Sequence, residues 1–240
     1  MEPGSCWQLL SPLDGYSRSR GQGLATQVAA GRCLRVLDAA DDGNPGTGAG
    51  RILVRLVEDG YPCWIEQQDL TSRAVAVQVT GPRPGRSRAE IEAVLGSVLD
   101  FARQAMQQPN EYLWGGTLGP DFDCSGLVQT SFAAAGIWLP RDAYLQERFC
   151  RPVAVHPGQT SLLRSGDLIF FGTPRRCTHV GLHLGEGRYL HSSGREHGRN
   201  GIGIDDLNPR NPHPVAGHYR AELRGAGRVM HSHDGSALPG

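Results

Sequence analysis

Between Ile52 and Val57 apolar side chains take every second position, with Ile52, Val54 and Leu56 on one face and Leu53, Arg55 and Val57 on the other. An Asp59-Gly60 turn then leads into Tyr61-Pro62-Cys63-Trp64-Ile65. A period of two over such short runs predicts strands. Residues 33–37 add another, so the chain from Cys6 to about Leu70 reads as a small β-barrel, with 41–48 as a loop. Two prolines and two glycines within 80–86 suit neither a helix nor a central strand and predict a linker, which sets a boundary near residue 80. Beyond it the period changes. Ser87 and Glu90 are spaced as a capping box, and Ile91, Val94, Leu95, Val98, Leu99 and Ala102 recur at helical intervals, predicting a helix over 88–107. A second helix is expected from Asp123-Cys124, with Asp123 as N-cap, through Leu127, Val128, Ser131, Phe132 and Ala135 to a stop at Gly136. Strands follow at 167–171, 179–184 and 188–192, the last two joined by a Gly185-Glu186-Gly187 turn. Helices first and a hairpin-rich antiparallel sheet later make an α+β domain. The Gly-, Ser- and His-rich end, from about residue 222, lacks periodicity and is expected to fray.

The 240 residues carry 24 Lys plus Arg against 24 Asp plus Glu, so there is no global basic field and neither nucleic acid nor membrane is expected as a partner. Every cationic side chain of that set is arginine, which excludes Schiff-base lysine chemistry and a Walker-type phosphate loop. The N-terminus has no basic start followed by an apolar stretch, and no apolar run approaches the roughly 18 residues of a membrane span, so a cytoplasmic location is expected. Cys6, Cys33, Cys63, Cys124, Cys150 and Cys177 are widely spaced and read as free thiols. No close Cys-x-x-Cys pair exists, so neither a metal nor another cofactor is expected.

Cys124 stands out because it opens a predicted helix, where unpaired N–H groups and the macrodipole favour a thiolate. A nucleophilic cysteine needs a base, and that base needs a third group to fix its tautomer. His179 and His191 lie on the two strands of the predicted hairpin, near enough to meet, but His183 shares the alternation face of His179, and periodicity alone does not choose between them.

The blocks Tyr112-Leu113-Trp114-Gly115-Gly116, Phe122-Asp123-Cys124-Ser125-Gly126-Leu127-Val128, Leu139-Pro140-Arg141-Asp142 with Gln146, Gly166-Asp167-Leu168-Ile169-Phe170-Phe171, Thr178-His179-Val180-Gly181 and His191-Ser192-Ser193 resemble, in order, those of the NlpC-type cell-wall peptidases. These are papain-like cysteine peptidases of peptidoglycan peptides. The segment from Asp59 to Trp64 resembles a bacterial SH3-like domain. The resemblance implies an SH3-like domain over 1–80 and a papain-like peptidase domain over 81–222, and the lack of periodicity leaves a flexible tail over 223–240. It also implies Cys124 as nucleophile, His179 rather than His183 as base, His191 as the residue that orients it, and the Cys124 N–H with the Tyr112 hydroxyl as oxyanion donors. By the same likeness the substrate is a peptidoglycan stem peptide with a free N-terminal L-alanine, cut after γ-D-glutamate, and Asp142 holds the ammonium; the expected cytoplasmic location then points to wall recycling.

Other readings of these residues stay open. Asp142 also suits a helix cap after Pro140, and Tyr61 either walls the pocket or packs in the barrel. Asp123 and Ser125 are expected as further substrate contacts, and Arg141 either braces Asp142 or meets a substrate carboxylate. A non-catalytic peptidoglycan-binding protein, or a papain-like amidase or acyltransferase, is the competing function.

Overall fold

The computed structural model describes residues 1–39, 50–79 and 85–236; the expected loop at 41–48 and most of the expected linker lie outside the described residues. The chain divides into two compact units, Met1–Pro84 with His233–Gly240 and Gly85–Ser232.

In the first unit the alternating runs become strands β1 (Cys6–Leu9), β2 (Leu13–Tyr16), β3 (Leu24–Val28), β4 (Cys33–Ala39), β5 (Arg51–Leu56) and β6 (Pro62–Glu66), followed by the short helix α1 (Gln67–Arg73) and β7 (Ala74–Val77). They form one curled antiparallel sheet, ordered β3-β2-β6-β5-β4-β1-β7. The face predicted to be apolar is the buried one: Ile52, Val54 and Leu56 join Leu34, Val36 and Ile65 in the core. The Asp59-Gly60 turn is anchored by Arg32, whose buried guanidinium donates to Glu58 (3.1 Å) and Asp59 (2.8 Å).

The second unit opens with α2 (Arg88–Gln107), whose capping box forms as predicted, with Ser87 and Glu90 bonded reciprocally. Its buried stripe of Ile91, Val98, Leu99 and Ala102 shares a core with α3 (Cys124–Ala134). Asp123 caps α3, and Gly136 takes the left-handed conformation just beyond it. Helix α4 (Ala143–Phe149) and strands β8 (Arg151–Val153), β9 (Leu168–Gly172), β10 (Cys177–Gly185), β11 (Arg188–Ser193) and β12 (Gly201–Asp206) follow, then α5 (Pro214–Ala221) and β13 (Leu223–Arg228). The antiparallel sheet runs β12-β11-β10-β9-β13-β8, with helices packed against it, so the unit is α+β. Among the described residues no helix is long and apolar enough to cross a membrane.

The end of the chain departs from expectation. Rather than fraying from residue 223, it contributes β13, which lies between β9 and β8. Its sequence, Leu-Arg-Gly-Ala-Gly-Arg, lacks an apolar alternation because ladder bonds and ion pairs hold it: Arg224 to Glu147 (2.9 Å) and Arg228 to Asp167 (2.7 Å). Gly227 is required by proximity, since a Cβ there would come within 2.5 Å of Cys150 Cβ. Farther on, Gly235 packs so tightly on the Val57 carbonyl of the first unit that a Cβ would stand 1.9 Å from its oxygen.

Candidate active site

The site begins with close backbone packing. Tyr112 bridges to Phe122, and the Asp123 N–H donates to the Gly116 carbonyl (3.1 Å), so the glycine-containing loop lies along the start of α3. Gly126 makes this possible: a Cβ on it would stand 2.0 Å from the Gly116 oxygen. The Asp123 carboxylate accepts from the N–H groups of Gly126 (2.6 Å) and Gly115 (2.9 Å), and Arg141 grips both its oxygens at 3.1 and 2.6 Å. Ser125 Oγ bonds to both Asp123 and Arg141.

Asp123, Ser125 and Arg141 are all buried, and their side chains bond to one another, which holds the loop to the helix. Arg141 braces Asp123. Asp142 takes the N-cap position of α4, half-buried, with no side-chain capping bond. Tyr61 belongs to the first unit, where it packs on the barrel core.

Cys124 is the first residue of α3, so its N–H has no acceptor within the helix. The backbone N–H groups of Val180 and Ser125 lie close enough to its sulfur to favour a thiolate, which places the thiol beside the strand that carries His179. The ring of His179 is buried and stacks on Tyr219 of α5 at 4.1 Å. Its Nε2 lies 2.8 Å from His191 Nδ1, and among the described residues His179 Nδ1 has no other partner. The pairing Leu182 with Leu190 and His183 with Tyr189, carried on by two residues, sets His179 and His191 diagonally across neighbouring strands. His183 is a structural residue: Nδ1 lies 2.9 Å from the Arg164 carbonyl, and Nε2 accepts from the Gly187 N–H (3.1 Å).

Two side chains absent from the sequence reading complete the site. Asp205 Oδ2 lies 2.8 Å from His191 Nε2 and also accepts from Arg199 (2.5 Å), while Tyr219 donates its ring to His179 and bonds Ser193 through its hydroxyl (2.7 Å). Both arrive on elements, β12 and α5, that periodicity did not announce. A carboxylate in Gly-Ile-Asp-Asp carries no local signal of its own.

The electrostatics differ from the helix-dipole expectation. Burial pushes the Cys124 thiol up to about 12, the Asp123 carboxylate adds to the rise, and the N–H groups of Val180 and Ser125 only partly oppose it. Burial also holds His179 well below the ordinary imidazole range, with His191 adding to the effect. Burial thus favours the neutral form of both the thiol and the imidazole. Burial, reinforced by Cys124 and Asp123, raises the Tyr112 phenol, so it remains a donor.

Burial lowers His179, His183 and His191 alike, and Asp205 only partly restores His191. Unfolded imidazoles titrate near about 6.5, so below that pH the unfolded chain binds more protons than the native one, and stability falls as pH falls. The urea midpoint of the second unit should be flat near about pH 7.5, below the titration of unfolded thiols, and decline on acidification through about 6.5. A midpoint that rises there would mean an imidazolium at residue 179 paired to a thiolate.

Comparison with known proteins is consistent with this layout. Residues 109–214 match the NlpC/P60 family, and residues 15–70 match the bacterial dipeptidyl-peptidase Sh3 domain. Over 153 residues the chain is 35% identical to the bifunctional muramidase/DL-endopeptidase CwlT of Bacillus subtilis, covering 60% of this chain and 41% of that protein. Over 84 residues it is 40% identical to the gamma-D-glutamyl-L-lysine dipeptidyl-peptidase of Bacillus subtilis, covering 34% of this chain and 27% of that protein. The chain thus spans less than half the length of these two relatives. A crystal structure of an NlpC/P60 family protein from Bacillus cereus aligns with a TM-score of 0.47 at 23% identity, over 95% of this chain and 64% of that one.

Proposed function

Because the chain carries an NlpC/P60 domain behind a bacterial Sh3 domain, we propose that it is a cysteine endopeptidase cutting the γ-D-glutamyl-L-diamino acid bond of peptidoglycan stem peptides. One observation carries this reading: a buried line runs from His179, next in the chain to Val180 whose N–H faces the Cys124 sulfur, through His191 to Asp205, with 2.8 Å at each step between rings and carboxylate. That is the arrangement a thiol nucleophile requires.

The steps follow from the atoms. Cys124 Sγ passes its proton to His179 Nδ1 and attacks the γ-carbonyl carbon of D-glutamate. The carbonyl oxygen becomes an oxyanion held by the Cys124 N–H and the Tyr112 hydroxyl. The imidazolium gives its proton to the leaving amine as the C–N bond breaks, which leaves a thioester. His179 then takes a proton from water, whose oxygen displaces the sulfur and releases the dipeptide acid.

For the acyl side, Asp142 is the residue proposed to hold the free ammonium of L-alanine. A free-amine requirement restricts the partner to stem peptides already detached from the glycan, the form met in recycling. Similarity to a dipeptidyl-peptidase supports this reading, since removal of a dipeptide begins at a free amino end.

The test is product analysis by mass spectrometry on L-Ala-γ-D-Glu-L-diamino acid. Release of L-Ala-D-Glu and the free diamino acid is the expected result. Cleavage at another bond, or no turnover by protein whose fold is intact, would overturn the proposal.

A further inference from the structure

We infer that Asp205 is a positioning residue that sets the tautomers of two imidazoles in series, and thereby decides which nitrogen of His179 is free to act as base; this rests on the peptidase reading above.

An ionised carboxylate only accepts hydrogen bonds, so the 2.8 Å contact between Asp205 Oδ2 and His191 Nε2 requires the proton to sit on Nε2. A neutral imidazole carries one N–H, so His191 Nδ1 bears a lone pair. That lone pair faces His179 Nε2 at 2.8 Å, which must therefore be the N–H of that ring. The lone pair of His179 is left on Nδ1, the nitrogen without another partner among the described residues. Reversing the first proton would reverse each link in turn, and His179 would then present an N–H to the thiol.

Asp205 is itself fixed. Its side chain is 3% exposed, Arg199 donates to Oδ2 at 2.5 Å, and His213 Nδ1 stands 3.5 Å from Oδ1. Burial works against its ionisation, but the bond and charge of His191, and then Arg199, outweigh that and hold the carboxyl below the usual range. A purely structural carboxylate could pair with Arg199 alone. Its second bond, to the His191 ring, is what carries the inference.

Asp205→Asn keeps the shape but removes the negative charge that holds the proton on His191 Nε2, leaving a weaker amide acceptor there, which makes the reversed chain accessible. The expected result is a fall in kcat of roughly 100-fold with KM unchanged, together with an equal fall in the rate at which iodoacetamide alkylates Cys124. In 15N spectra of the histidine rings, His179 Nδ1 should move from the unprotonated to the protonated range, and Asp205→Glu should restore part of the rate. Unchanged alkylation and unchanged ring shifts in Asp205→Asn would overturn the inference. Should that variant not fold, the same spectra of the unmutated protein decide, because a protonated His179 Nδ1 in the neutral ring contradicts the assignment. Alkylation and ring spectra need no peptide substrate, so they separate failure of this inference from failure of the peptidase reading.

Discussion

Alanine at Cys124 or at His179 should each lower turnover of the stem tripeptide by about 10^5- to 10^6-fold, and the double variant should be no worse than either alone. The expectation follows from shared work. With a thiol raised to about 12 by burial, Cys124 has no useful thiolate of its own at neutral pH, so the sulfur without the imidazole is close to inert. An imidazole without the sulfur has no covalent path to assist. Additive losses would show that the two residues act on different steps, and a single variant with near-normal kcat would remove that residue from the chemistry. Circular dichroism and the urea midpoint check the fold. Cys124→Ala removes only one buried sulfur, whereas His179→Ala also forfeits the stack on Tyr219, so the former is the cleaner measurement. A non-catalytic peptidoglycan-binding protein would show no turnover before mutation either.

What the sequence disclosed follows from where its signals are local. The helix that carries Cys124 was legible because an N-cap aspartate, an apolar stripe and a terminal glycine lie within one short stretch. The hairpin was legible because its turn and alternation are contiguous, and that was enough to bring His179 and His191 to neighbouring strands. Periodicity left His183 open and the family resemblance chose His179; the structure adds the physical reason, since both nitrogens of His183 are engaged by Arg164 and Gly187. Asp205 and Tyr219 were invisible for a related reason: each acts through a contact across more than ten residues of chain, on elements with weak periodicity of their own. The mutual bonding of Asp123, Ser125 and Arg141 was not legible, because charged and hydroxyl side chains near a nucleophile look alike, from sequence, whether they meet a ligand or one another. The thiol expectation failed on magnitude. A helix terminus contributes at most a couple of kcal/mol, about one to one and a half pKa units, and full burial of a charge outweighs that.

Acetylating the N-terminal alanine of the substrate should cut kcat/KM by about 10,000-fold, the largest discrimination expected at the binding end of the site. Asp142 is suited to this because its backbone is held rigidly to the nucleophile's helix. Gln129 of α3 donates to the Leu139 carbonyl (2.8 Å), Arg141 is locked on Asp123 (2.6 Å), and Gln146 donates both to the Pro140 carbonyl (2.9 Å) and to the Ser125 carbonyl (3.1 Å). A carboxylate at such a fixed point rewards an ammonium with a charge-assisted bond. An amide in the same place takes away the cation and its donors and adds a methyl group where the chain should end. The loss should appear mainly in KM if the ammonium is held equally in ground and transition states, and in kcat if its binding positions the γ-carbonyl over the sulfur. Asp142→Asn separates charge from shape: it should slow the free-amine peptide while bringing the two peptides to within about tenfold of each other. Equal rates for free and acetylated peptides with the unmutated protein would refute an ammonium site at Asp142 and return that residue to the start of α4 as a structural side chain.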